Sequence, residues 1–155
     1  MLPYLHAAGL VQAAPGAAER ASIEQLVPLI QERLVVLSEA PDLLRFFFQA
    51  PLAYDPALLV PKKLDPATAR TVLDRAAQAL RDLSDWSVEA IEARIRGLVE
   101  ELGLKIGDAF MTLRVAATGS KVSPPLFETL HALGKDETLA RLERAATTLE
   151  TATTA

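Results

Sequence analysis

Aliphatic side chains recur at steps of three and four along most of the chain, and over no useful length do they alternate with polar ones. Ile23, Leu26, Val27, Ile30, Leu34 and Leu37 form one such stripe. Ala69, Val72, Leu73, Ala76, Leu80 and Leu83 form a second, and Val88, Ile91, Ile95, Leu98 and Leu102 a third. Residues at that spacing lie on one face of an α-helix. A half-buried strand would instead need period two. The chain shows no internal repeat, so the expected fold class is all-α. Half of the residues are hydrophobic but only 5% are aromatic, which favours helices closing on Ala and Leu rather than on rings. At 155 residues, the chain suits one domain or two small packed helical subdomains.

Proline, glycine and capping residues punctuate these stripes. Pro28 lies inside the first and would kink it or mark its first turn. Pro41-Asp42 reads as a break and restart before Leu43-Leu44-Arg45-Phe46-Phe47-Phe48. Pro51, Pro56 and Pro61 make Ala50–Lys63 a connecting stretch. Asp65-Pro66 is an N-cap followed by proline in the first helical position. Ser87 caps the next helix, with Trp86 before it as a hydrophobic staple, and Gly103 stops that helix. A short helix over about 108–117 should end at Thr118-Gly119-Ser120. Ser123 then reads as an N-cap, with Pro124 opening a helix to Gly134, and a last helix spans about 135–150. This punctuation divides the chain into a first subdomain over 1–60, a second over 61–150 and a frayed tail over 151–155.

Several functional classes lack their residues. Without cysteine there is no disulfide framework, thiolate zinc site or cysteine nucleophile. His6 and His131 are far apart, which disfavours a histidine metal site. Ser38-Glu39 and His131 are only fragments of catalytic constellations, and no glycine-rich nucleotide loop occurs. A run of about 18 apolar residues is absent, which excludes a transmembrane helix. The start lacks a basic region and is not read as a signal peptide, so a cytoplasmic location is expected. The net charge of −4 argues against a simple basic nucleic-acid surface. The imbalance lies wholly before residue 103, with 10 basic and 14 acidic side chains; the remainder has 6 of each. The triplet Phe46–Phe48 points three ways on a helix and reads as core packing, and Lys62-Lys63 as a solvated loop.

One stretch is harder to dismiss. LRVAATGSKVSPPLFETLHALGK, from Leu113 to Lys135, places the end of one helix beside the start of another. Exposed backbone groups and the positive end of a helix dipole would meet there. Arg114, one turn before the break, could stack on an unpaired base or fork onto its edge. The plain alternative is an ordinary helix stop with a surface arginine.

Residues 104–145 resemble the C-terminal anticodon-binding region of bacterial glutamyl-tRNA synthetases, through LRVAATG, SPPLFE, LGK and LARL. PYLHAAGLV, QERLVVLSEAPDLLRFFF, the Lys62-Lys63 pair with its following helix, and the Trp86–Leu102 helix extend the resemblance over nearly the whole chain. The family's two nucleotide-binding signatures are absent, so the resemblance implies a catalytic half on sequence other than this. No cofactor is then expected in this chain, since ATP and Mg belong to the absent catalytic domain.

The resemblance also implies a site. In the family the last subdomain receives the first two anticodon bases; Arg114 matches the arginine of the LRVAxTG motif, and Ser123, Pro124 and Leu126 match the residues opening the next helix. Arg33, in QERLVVLSE, matches an arginine that helps read the third base. The expected partners are the tRNA(Glu) anticodon loop and the parent's catalytic domain, with no membrane and no DNA. The rival expectation is a helical adaptor derived from this module, with RNA binding lost.

Overall fold

The computed structural model describes residues 1–32, 34–48 and 54–154, without the side chains of 153 and 154. Among these residues there are eight α-helices, two 3-10 turns and no strand, so the all-α expectation holds. The chain separates into two compact units, Met1–Leu52 and Ala53–Ala155.

The first unit holds α1 (Leu2–Ala7), α2 (Ala17–Gln31), a 3-10 turn (Leu37–Glu39) and α3 (Ala40–Phe48). Helix α3 packs on both α1 and α2. Leu5, Leu26, Ile30 and Leu44 are fully buried. Two expectations change here. The first stripe leaves the helix before Leu34 and Leu37, because α2 ends at Gln31. Pro41 does not break a helix but sits in the first turn of α3, where its missing N–H costs no intrahelical bond. The Glu39 carboxylate accepts from the Val35 and Val36 N–H groups at 3.1 and 3.5 Å, giving that backbone a local alternative to the helical ladder.

The second unit holds a 3-10 turn (Pro56–Leu59) and helices α4 (Pro66–Arg81), α5 (Val88–Glu101), α6 (Ile106–Thr118), α7 (Leu126–Leu133) and α8 (Lys135–Thr154). Helix α4 packs along α8 and touches α5 and α6, while α7 lies against α5 and α8. Buried Ala76, Ala77, Ala145 and Ala146 let α4 and α8 approach closely. Val72, Leu73, Leu80, Ile91, Ile95, Leu113, Leu130 and Leu142 fill the centre. Ion pairs Arg70–Glu150 and Arg81–Glu143 flank the α4–α8 seam.

The local signals match the expected punctuation. Asp65 accepts from the Thr68 N–H at 2.6 Å, and Ser87 from the Ala90 N–H at 3.2 Å. Trp86 packs against the core that contains Ile91. Gly103 follows α5 at φ 66°. Residues 54–60, grouped with the first subdomain on the sequence, carry fully buried Leu59 into the core of the second unit. Helix α8 also continues past Glu150. Within that continuation the Thr151 hydroxyl donates to the Thr147 carbonyl.

Candidate nucleic-acid interface

Helix α6 ends at Thr118 because Gly119 adopts a left-handed conformation (φ 73°, ψ 8°), which costs glycine little. The Gly119 N–H closes the helix onto the Val115 carbonyl at 2.7 Å. The Thr118 hydroxyl lies 2.7 Å from the Arg114 carbonyl and 3.1 Å from that of Ser120, and accepts from the Ser120 N–H at 3.3 Å. The Ser120 hydroxyl in turn accepts from the Val122 N–H at 3.1 Å. Short side chains thus replace helical partners through the turn.

Arg114 fastens the far side of this turn to α6. Its Nη1 donates to Ser123 Oγ at 2.7 Å and to the Pro124 carbonyl at 3.0 Å. The Ser123 hydroxyl donates to the same carbonyl at 2.8 Å. Ser123 is therefore not a helix cap, contrary to the sequence expectation, and α7 starts only at Leu126, with Pro125 as its capping residue. Proline disfavours helical backbone in the residue before it, so two successive prolines work against a helix starting at Ser123 or Pro124. Pro125 is itself extended (φ −51°, ψ 138°), and its carbonyl accepts from both the Thr129 N–H and hydroxyl.

This geometry sorts the expected site residues. Arg114, Ser123, Pro124 and Leu126 lie together at one turn, but only Arg114 is partly exposed. Ser123 is 1% exposed and Leu126 4%; Pro124 is also buried. The exposed tip is Ser120-Lys121-Val122, with Val122 70% exposed. Arg33 lies outside the described residues. Lys62 and Lys63 are exposed, and Phe46 is buried.

Three features escaped the sequence reading. Arg141 of α8 is 3% exposed; its Nη1 donates to the Ala117 carbonyl at 2.7 Å and its Nε to Glu137 at 2.6 Å. It supplies a charged donor to the end of α6, where carbonyls lack intrahelical partners. Arg96 of α5 lies over the rings of Phe110 and Phe127, 5.4 and 6.0 Å from their centroids. Those rings meet edge to face at 5.1 Å. Phe110 sits one turn before Arg114, so the plate of Arg96 shares that side of α6. The Phe110–Arg114 spacing was legible, but the approach of Arg96 depends on helix packing. The third feature is Val122, whose exposure follows from the turn alone.

Among the described residues no group of three His, Asp or Glu side chains is placed to hold a metal. None of their helices is long and apolar enough to cross a membrane.

Comparison with known proteins gives this turn a context. Residues 1–146 match the family model described as an anticodon binding domain. A glutamate–tRNA ligase of Roseiflexus castenholzii is 52% identical over 152 residues, spanning 98% of this chain and 30% of that protein. The enzyme of the same name from Herpetosiphon aurantiacus is 49% identical over 150 residues, covering 97% and 30%. A crystal structure of a glutamate–tRNA ligase from Elizabethkingia meningosepticum, in complex with its amino acid, superposes with a TM-score of 0.76 at 25% identity. That match covers 95% of this chain and 28% of the other. The chain thus spans about 30% of the length of these relatives.

Proposed function

The chain belongs to the anticodon-binding domain family, and on that premise we propose that it selects tRNA(Glu) for a glutamate–tRNA ligase by reading unstacked anticodon bases at the α6–α7 turn. The observation that carries this reading is the turn itself. Arg114 clamps Ser123 and Pro124, so a rigid backbone edge and a half-buried guanidinium are offered beside an exposed tip. Unstacked bases present their hydrogen-bonding edges to such groups, and a preorganised edge loses little entropy on binding.

The buried state of Ser123, Pro124 and Leu126 refines their roles. In the free protein they shape the edge and hold the start of α7, where the first N–H groups of a helix lack intrahelical acceptors. Lys121 suits a phosphate oxygen, and Val122 the face of a base. The Arg96 plate over Phe110 and Phe127 offers a stacking surface on the same side. Arg33 is assigned to the third anticodon base. Discrimination of this kind needs no basic surface, which fits a chain of net charge −4; phosphate affinity comes from the rest of the parent synthetase. Glutamate activation with ATP and Mg is assigned to that catalytic partner, and the setting is cytoplasmic.

Chemical footprinting of tRNA(Glu) with the 155-residue chain tests the reading. Protection confined to the anticodon loop, strongest at its first two anticodon bases, is expected. An unprotected loop in the presence of folded protein would favour an adaptor without RNA binding.

A further inference from the structure

Tyr54 and the 3-10 turn that follows it (Pro56–Leu59) lie along α6, from Thr112 to the capping residue Gly119 just past its end. Thr112 donates its hydroxyl to the Leu59 carbonyl at 2.9 Å, and Leu59 is fully buried. About two turns further on, at the cap of α6, Gly119 faces Tyr54. A Cβ placed on Gly119 would lie 3.3 Å from Tyr54 Cδ1, and 3.7 and 3.8 Å from its Cβ and Cγ. The Asp55 carboxylate accepts from the Ala57 N–H at 2.9 Å, which fixes the backbone from which Tyr54 projects. Tyr54 is itself partly buried against the core. Burial raises its phenol above the ordinary value of 10.0, with Arg144 of α8 opposing the shift.

Two supports therefore converge on the end of α6. Arg141 holds the Ala117 carbonyl, and Tyr54 packs so closely on Gly119 that even a Cβ there would press on its ring. Both act on the residues that lead into the exposed tip, Ser120-Lys121-Val122, which the proposed function assigns to RNA. We propose that Tyr54 is a positioning residue for base recognition. Its ring holds the Gly119–Val122 tip in one conformation and thereby sets discrimination between anticodons without touching RNA.

This inference rests on the proposed function for its consequence, but its structural half can be read without RNA. Lys121 lies in the exposed tip, and Lys105 is an exposed lysine outside it. Limited trypsin digestion of the whole chain compares cleavage at the two sites. Tyr54→Phe keeps the ring and should match the unmodified protein. Tyr54→Ala, and Tyr54→Leu should the alanine variant fail to fold, should raise the Lys121:Lys105 cleavage ratio about tenfold, because cleavage follows the population of the opened turn. The same variants should shrink the preference for the natural over a replaced anticodon by about tenfold, a loss that tyrosine-to-phenylalanine exchange should spare. An unchanged cleavage ratio in a folded variant overturns the proposal whatever RNA does. A raised ratio with anticodon preference intact overturns it as well. Absence of any anticodon preference in the unmodified chain would instead count against the proposed function, and the cleavage ratio would still decide whether Tyr54 orders the turn.

Discussion

Replacing Arg114 by alanine removes two charged hydrogen bonds at once. Nη1 loses Ser123 Oγ and the Pro124 carbonyl, both within 3.0 Å. A hydrogen bond from a charged donor is worth about 1.5–3 kcal/mol, but these two share one nitrogen. The Ser123 hydroxyl and the Pro124 carbonyl also keep each other as partners. A loss of about 2 kcal/mol follows for the fold, which for a unit of this size lowers Tm by roughly 8–16 °C. Binding to tRNA(Glu) should weaken by about 1–3 kcal/mol, the range of one good base contact. Arg114→Lys separates the two effects. A lysine can reach one of the turn's acceptors but cannot present a planar fork, so it should recover part of the Tm while anticodon preference stays as diminished as in Arg114→Ala. Calorimetry and tRNA titration on the three proteins provide the measurements. An Arg114→Ala protein with unchanged Tm and unchanged tRNA affinity would refute both the clamp and the contact.

Other perturbations have defined outcomes. Arg141→Leu should lower unfolding free energy by about 2 kcal/mol in urea melts, since it strips a charged donor from the buried Ala117 carbonyl while Glu137 can turn to water. Lys121→Gln should weaken binding equally for natural and replaced anticodons and reduce the salt slope of log K by about one unit; a selective loss for one anticodon would make Lys121 a base reader instead. The Thr68 N–H holds the Asp65 carboxyl below its ordinary value of 3.8. Its stabilisation is therefore complete above that value and lost as pH falls through the depressed folded value. Asp65→Asn, which still accepts from the Thr68 N–H, should flatten that acid limb of the unfolding curve and change little near neutrality.

Features decided within a few residues could be read from the sequence. Asp65-Pro66, Ser87 and Gly103 act through their own backbone neighbourhood, and each stands where its chemistry requires. Ser-Pro reads as a cap at Ser123, whereas the second proline disfavours helical backbone at Pro124, α7 starts after Pro125, and Ser123 Oγ accepts from Arg114 instead. The end of α2 was misplaced because Leu34 and Leu37 continued the helical spacing, although a side chain further on, Glu39, rewards leaving the helix. Arg141, Tyr54 and Arg96 could not be found by spacing. Each acts on a partner 14 or more positions away, brought near only by helix packing. The resemblance picked out the turn and its arginine, while the structure adds that the arginine's first task is to hold the turn.

The most direct test of base reading is titration of the chain at low salt with tRNA(Glu) and with the same tRNA carrying a replaced anticodon. The account predicts tighter binding to the natural anticodon, with the difference diminished in Arg114→Ala. Equal affinity for both, by folded protein and again by the parent synthetase, would contradict it.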